Sequence, residues 1–109
     1  MFKKSNRLTT AEFSELYRSG KKKHFPHLSI TLGQNSGTKV SVVAGKKVAK
    51  SAVRRNLLKR RVYSILRKMD EQQSLGEMIV ILKPTFSGLA RKTAEEIVRQ
   101  SIAEVKKSA

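Results

Sequence analysis

The side chains suited to acid–base or metal chemistry are few in this chain. His24 and His27 are its two histidines, and they lie three residues apart beside Pro26. A metal site would need further ligands, and no carboxylate is near them in sequence, so a phosphate contact or plain solvation explains them better. Glu12 and Glu15 share a predicted helix, but a capping role accounts for Glu12. Because cysteine is also absent, we predict no catalytic side chain and no metal site.

The chain has many more side chains suited to binding phosphate, because it is strongly and unevenly basic. It carries 24 Lys or Arg against 8 Asp or Glu, a formal net charge of +16. Between Glu15 and Asp70 there is not one carboxylate. Excluding one sign of charge over half of a domain builds a field that attracts a polyanion. Nucleic acid is the first candidate partner, and an anionic membrane surface is the second.

Length and composition define the class of protein. The 109 residues, 12.3 kDa, predict a single domain over 1–109, and 39% hydrophobic residues suffice for a core. The absence of cysteine suits a reducing cytosol. Neither an apolar signal core nor an apolar run of about 20 residues is present. We therefore expect a cytoplasmic protein with no membrane contact and no obligate protein partner.

A predicted helix over residues 51–69 carries most of the positive charge. Its apolar side chains fall within an arc of about 100° at helical periodicity, and Ser51 is placed to cap its first turn. The core-facing residues are Leu58, Val62, Ile65, Leu66 and Met69. One flank holds Asn56, Lys59, Arg60, Tyr63 and Arg67, and the other holds Arg54, Arg61 and Lys68. The helix therefore has one core face and two basic flanks.

A first helix, predicted over residues 10–18, carries aromatic side chains suited to stacking. Thr9 and Glu12 match a capping box at its start. Phe13 and Tyr17 lie one turn apart and could stack bases of single-stranded RNA. They could equally be core residues, since the apolar face of a helix normally packs inward. The residues alone leave both interpretations open.

Alternating apolar and polar residues predict two strands, over 28–32 and 39–44, which we expect to pair as an antiparallel hairpin. Pro26 is expected at the start of the first strand, at a sheet edge. The continuous apolar run 78–82 predicts a strand buried on both faces. A last helix with apolar residues at helical spacing begins within 87–93.

A short ordered motif resembles the signature of the bacterial ribonuclease P protein subunit. It begins at Gly45 and reads GKKVAKSAVRRNLLKR. The family shows Ser-Lys-Lys-Val, then Ala-Val, Arg-Asn-Arg and Lys-Arg on this spacing. The likeness extends along nearly the whole chain. Asn6-Arg7-Leu8 opens it, Phe13 and Tyr17 match a family aromatic pair, and Lys83-Pro84 follows the last strand.

The resemblance implies a fold. The family is an α+β protein, a small α/β sandwich of order αβββαβα. Its mixed sheet has about four strands, with a left-handed βαβ crossover around the basic helix. The predicted elements give this order if residues 40–47 break into two short strands.

The resemblance also implies a function. In that family an RNA subunit performs the hydrolysis with Mg²⁺, and the protein assists removal of the 5′ leader from precursor transfer RNA. The chain is then the protein component of an endoribonuclease, without catalytic side chains of its own. Contacts with the RNA subunit are implied for Lys46, Lys47, Lys50, Arg54, Arg55, Asn56, Lys59, Arg60, Arg61 and Arg67. A leader cleft between the first helix and the sheet is implied at Phe13 and Tyr17, with the outward residues Ser29 and Thr31.

Three residues depart from the family signature. Leu57 is the third residue of the Arg-Asn-Arg position, Gly45 replaces the serine before Lys-Lys, and Tyr63 replaces an arginine after Lys-Arg. Leu57 lies about 120° from the centre of the core arc, so burial does not explain it.

Two other classes of protein compete with this interpretation. A structural RNA-binding protein of ribosomal type would share the basic surface but have no role in processing. A membrane-active basic protein is disfavoured, because no predicted helix combines a wide apolar face with a low content of core residues.

Overall fold

Within the described residues, three helices and four strands follow one another in the order αβββαβα, as the resemblance implied. The computed structural model describes residues 7–34 and 37–108, so Asn6 lies outside the described residues. The helices are α1 (Thr10–Ser19), α2 (Ala52–Gln72) and α3 (Arg91–Ser108), and the strands are β1 (Lys21–His24), β2 (Leu28–Leu32), β3 (Lys39–Val43) and β4 (Glu77–Leu82). A short 3₁₀ helix, Pro84–Gly88, links β4 to α3.

The four strands form one mixed sheet in the order β1-β2-β4-β3, so the last strand in the chain lies inside the sheet. Strand β4 pairs antiparallel with β2 and parallel with β3, and α2 connects the two parallel strands. The predicted hairpin between 28–32 and 39–44 is therefore wrong. Burial is the reason: Met78, Ile79 and Val80 are fully buried, so this apolar strand takes the interior position. The left hand of the crossover stays a prediction.

The additional strand that the family order requires is β1, which lies in the lysine run. The expected break of residues 40–47 into two short strands is wrong. Strand β1 pairs antiparallel with β2. The N–H of Phe25 donates to the carbonyl of Leu28 over 2.8 Å, so Pro26 lies in the connecting turn and does not begin a strand. Strand β1 escaped prediction because an edge strand of polar residues has no alternating apolar signal.

The hydrophobic core lies between one face of the sheet and the helices α2 and α3. On the sheet it comprises Leu28, Ile30, Val40, Val42, Met78, Val80 and Leu82. On α2 it comprises Leu58, Val62, Ile65 and Leu66, with Met69 packed against it, so the predicted core face is confirmed. Helix α1 lies on the opposite, outer face of the sheet, where it buries Leu16.

Tyr63 belongs to this core, and its predicted place on a basic flank of α2 is wrong. Its side chain is 7% exposed, and its hydroxyl accepts a hydrogen bond of 3.0 Å from the N–H of Val42. Strand β3 is the last strand of the described sheet, so the hydroxyl satisfies a backbone donor on the outer edge of that strand. The N–H of Leu8 similarly donates to the carbonyl of Val40 over 3.3 Å. A tyrosine combines the apolar ring and the polar tip that this position needs.

Local capping signals set the starts of α1 and α2. The Thr9 hydroxyl accepts from the N–H of Glu12 over 3.2 Å, and the Thr9 N–H donates to the Glu12 carboxylate over 2.9 Å, so the capping box is confirmed. The Ser51 hydroxyl caps α2, which runs on to Gln72, beyond the predicted end at residue 69. Helix α3 begins at Arg91, within the predicted interval. In the described part of the chain, no helix has the length and apolar character to cross a membrane.

Candidate nucleic-acid interface

Helix α1 divides the outer face of the sheet into two sides of opposite character. At about 100° per residue, Leu16 points to the sheet, with Phe13 and Tyr17 on one flank and Glu12 and Glu15 on the other. The acidic flank borders a cleft of about 550 Å³, the acidic cleft, which is lined by Glu12, Glu15, Leu16, Ser19, Gly20, Lys21, Leu32, Gly33, Gln34 and Glu77. Its carboxylates repel phosphate, so this cleft is not a candidate for RNA binding.

The aromatic flank of α1 presents a stacked pair of rings. The ring centroids of Phe13 and Tyr17 lie 6.0 Å apart, and their planes are within 6° of parallel. Phe13 is half-buried and Tyr17 is 44% exposed, so the core interpretation fails for Tyr17. The ammonium of Lys22, on β1, lies 3.5 Å from the centroid of the Tyr17 ring. A ring of this exposure is accessible to a base that stacks on aromatic side chains.

The floor beside these rings is formed by alternate residues of β1 and β2. Lys22 lies opposite Thr31 and His24 opposite Ser29, so all four share the outer face of the sheet. Ser29 is 8% exposed and Thr31 is 1% exposed. Both therefore face away from the core, as predicted, but they are covered on the outer face, Thr31 most completely.

Gly20 covers Thr31 and explains its burial. A Cβ atom on Gly20 would lie 2.6 Å from Thr31 Cγ2 and 2.7 Å from the carbonyl of Leu16, which is closer than real Cβ contacts. The close approach of α1 to β2 therefore requires glycine at this position. We define the aromatic cleft as the surface formed by Phe13, Tyr17, Lys22, His24 and Ser29.

Lys22 and His24 were not among the predicted leader-binding residues. Their membership of the cleft depends on β1, which the sequence did not reveal. The signal available was the alternation of Lys22 and His24 with Lys23, which faces the other way and pairs with Glu104 of α3 over 3.5 Å. The alternation of these side chains between the two faces of the sheet can be recognised only once β1 is known to be a strand.

The predicted RNA-subunit residues lie in the loop before α2 and along α2 as far as Arg67, on both of its basic flanks. The exposed members are Lys46, Lys47, Lys50, Arg54, Asn56, Arg60 and Arg67, and the half-buried members are Arg55, Lys59 and Arg61. All of these residues face solvent wholly or in part. We refer to them as the basic surface.

Arg55 has a structural role within the basic surface. One of its guanidinium nitrogens donates to the carbonyls of Ala49 and Lys50, both over 2.9 Å. These bonds tie the lysine-rich loop to the first turn of α2. Arg54 donates to the carbonyl of Ser87 over 3.3 Å and so links α2 to the 3₁₀ helix. Arg55 therefore positions the lysines of the loop.

Two apolar side chains interrupt the basic surface. Val53 is 79% exposed and Leu57 is 40% exposed, and they lie one turn apart on α2. The prediction that Leu57 lies off the core is confirmed. Nothing in the structure explains the replacement of the family arginine by leucine.

The second histidine lies at the end of the sheet where β2 begins and β4 ends. His27 Nδ1 lies 2.8 Å from the Thr85 hydroxyl, and the Lys83 ammonium donates to the carbonyl of Phe25 over 2.6 Å. These contacts link the turn between β1 and β2 to the segment after β4. Within the described residues there is no group of three or more His, Cys, Asp or Glu side chains that could hold a metal ion.

Glu12 holds the N-terminal end of α1 in place. Its carboxylate accepts from the Lys39 ammonium over 2.7 Å, in addition to its capping bond with Thr9. The hydrogen bond from Lys39, and then that from the Thr9 backbone, lower the pKa of Glu12 to about 2. Glu12 is thus ionised at neutral pH and holds α1 to β3, which is a structural role.

The fold and the two surfaces define a basic α+β protein suited to binding an extended polyanion. The family model for Ribonuclease P matches residues 2–106. The chain therefore belongs to the ribonuclease P protein family.

Individual relatives agree with this assignment. The chain is 34% identical over 91 residues to a ribonuclease P protein component of Pseudanabaena sp., covering 80% of this chain and 78% of the relative. It is 26% identical over 99 residues to that of Nitratiruptor sp., covering 91% and 90%.

Solved structures share the fold. A mutant RNase P protein of Staphylococcus aureus superposes with a TM-score of 0.85 at 17% identity, covering 94% of this chain and 90% of that one. The RNase P protein of Thermotoga maritima superposes with a TM-score of 0.68 at 24% identity, covering 83% and 88%.

Proposed function

We propose that this chain is the protein subunit of ribonuclease P, the ribonucleoprotein that removes the 5′ leader from precursor transfer RNA. Hydrolysis belongs to the RNA subunit, and the protein binds that RNA and holds the leader. The assembled enzyme is an endoribonuclease of the cytoplasm to which this chain contributes binding and no catalytic side chain.

The basic surface is the part of the protein assigned to the RNA subunit. Its lysines and arginines lie in a stretch without carboxylates, and Arg67, near the end of that stretch, pairs with Glu71 over 3.9 Å. Each cation that replaces a counterion on an RNA phosphate adds to the affinity and to its dependence on salt. The free N–H groups at the start of α2 add a further preference for phosphate.

The aromatic cleft is the part assigned to the leader. A single-stranded leader exposes base faces, which stack on aromatic side chains without regard to sequence. The observation that carries this proposal is the exposed Tyr17 ring, stacked with Phe13 on the outer face of the sheet. The core and α2 lie on the other face, so leader and RNA subunit have separate surfaces.

Mg²⁺ enters the proposal through the RNA subunit. The described residues offer no cluster of metal ligands, and Glu12, on the acidic flank of α1, is engaged in capping and in an ion pair. Mg²⁺ supplies charge neutralisation and water activation when it is bound to RNA. Neutralising phosphates by the protein lowers the Mg²⁺ that the RNA needs to bind precursor.

The test is leader release by the reconstituted enzyme. We expect the cognate RNA subunit to cleave precursor transfer RNA at low Mg²⁺ only when this protein is added. Cleavage by the RNA alone at high Mg²⁺ is the control for an active RNA. If the protein binds the RNA tightly and leader release at low Mg²⁺ does not depend on it, the ribosomal-type alternative is correct.

A further inference from the structure

The ring of Tyr17 is already occupied in the free protein. The Lys22 ammonium lies 3.5 Å from the ring centroid, within the distance of a cation–π contact. A nucleobase stacks at a similar height above a ring, so base and ammonium compete for the same ring face. Leader stacking on that face requires Lys22 to move.

Lys22 differs from its neighbours in its partners. In the described residues, the ion pairs of this region join Lys23 to Glu104 and Lys39 to Glu12. Lys22 takes part in neither pair, and its side chain is exposed. Among the described residues, the contact that the Lys22 ammonium must break is therefore the one with the ring, and the flexible four-carbon stem lets the ammonium swing away.

We propose that Lys22 is a leader-binding residue that exchanges partners, leaving the Tyr17 ring for a leader phosphate when a base takes its place. The proposal deepens the function proposed above and rests on it. Each stacked base brings its own phosphate to the edge of the ring, where the displaced ammonium remains within reach. In the free protein the same ammonium shields the exposed ring from water and from adventitious stacking.

The chain provides a matched control for this proposal. Lys21 is the adjacent residue of β1 and carries the same charge, but it lines the acidic cleft on the other flank of α1. A Lys21→Gln variant therefore removes one charge at the same distance along the chain without touching the aromatic cleft. Lys22→Arg keeps the charge and is the conservative variant.

The first measurement is the salt dependence of precursor binding by the reconstituted enzyme. For Lys22→Gln we expect the slope of log affinity against log salt to fall by about 0.7, the value for one phosphate of a single strand. At 0.1 M salt this corresponds to about fivefold weaker precursor binding. We expect Lys22→Gln to bind mature transfer RNA with the wild-type slope. Precursor binding by the Lys21→Gln and Lys22→Arg variants should also keep the wild-type slope.

The second measurement follows the exchange itself in the free protein. Because the Lys22 ammonium lies 3.5 Å from the ring centroid, we expect the Tyr17 ring to shield the terminal methylene protons of Lys22 and Tyr17→Ala to abolish this upfield shift. We expect a saturating short single-stranded RNA to remove the shift. A shift that persists at saturation, or an unchanged slope for Lys22→Gln, overturns the proposal. If the wild-type protein still supports leader release when either result is found, the Lys22 proposal fails and the proposed function stands. If leader release also fails, the proposed function is wrong as well.

Discussion

The basic surface on α2 and the aromatic cleft beside α1 offer RNA two different kinds of physical chemistry. The basic surface gathers point charges on flexible stems, and its contribution depends on salt and hardly on position. The aromatic cleft presents two parallel rings held by a helix whose place over β2 is fixed by Gly20. The contribution of these rings depends on their geometry and little on salt. A protein with both surfaces can bind one RNA by charge and recognise single-stranded character in another.

The largest effect is expected at the aromatic cleft. Tyr17→Ala removes the exposed ring, and a stacked base is worth about 1–3 kcal/mol. We therefore expect precursor affinity to fall by between about fivefold and a hundredfold, while mature transfer RNA binds as before and the salt slope barely changes. Equal losses for both ligands in a binding titration would remove the distinction between the two surfaces.

The next effect belongs to the basic surface. Arg60 is exposed on α2, so Arg60→Ala leaves the fold unaltered and deletes one phosphate contact. Affinity for the RNA subunit should fall for every RNA sequence alike, and its salt slope should fall by about one unit. A filter-binding series across salt concentrations measures both. Retention of the wild-type slope would exclude Arg60 from the phosphate contacts.

Leu57 allows the basic surface to be strengthened. Leu57→Arg restores the residue type of the family signature at a position that is 40% exposed, and arginine is a good helix former. We expect higher affinity for the RNA subunit, a salt slope steeper by about one unit and an unchanged melting temperature. A melt lowered by several degrees without a gain in affinity would show instead that Leu57 contributes to packing.

The smallest effect concerns the support of the aromatic cleft. Because the pKa of Glu12 is lowered from 4.5 to about 2 in the folded protein, its carboxylate stabilises the fold above pH 4.5, and that stability is lost as the pH falls towards 2. Glu12→Gln should therefore melt at a lower temperature than wild type at neutral pH. The two melting curves should converge in acid. A difference that is independent of pH would assign the effect to packing and not to charge.

The two surfaces also differ in how much of each can be predicted from the sequence. The charge, the core face and the N-cap of α2 are local properties of one helix, and all three were predicted correctly. Tyr63 was misassigned because its burial comes from the hydroxyl bond to Val42, a contact across the fold. The floor of the aromatic cleft depends on β1 and on the insertion of β4 between β2 and β3. These are long-range pairings that periodicity does not encode.

The interior position of β4 has a consequence for how the molecule is made. Strand β3 acquires its sheet neighbour only when residues 77–82 are available, after the whole of α2 has been synthesised. Until then a growing chain can close the β1–β2 hairpin and no more of the sheet. Pairings of such sequence separation slow folding, because the loop must close before they stabilise anything. The late arrival of one apolar strand is therefore the step on which assembly of the entire sheet waits.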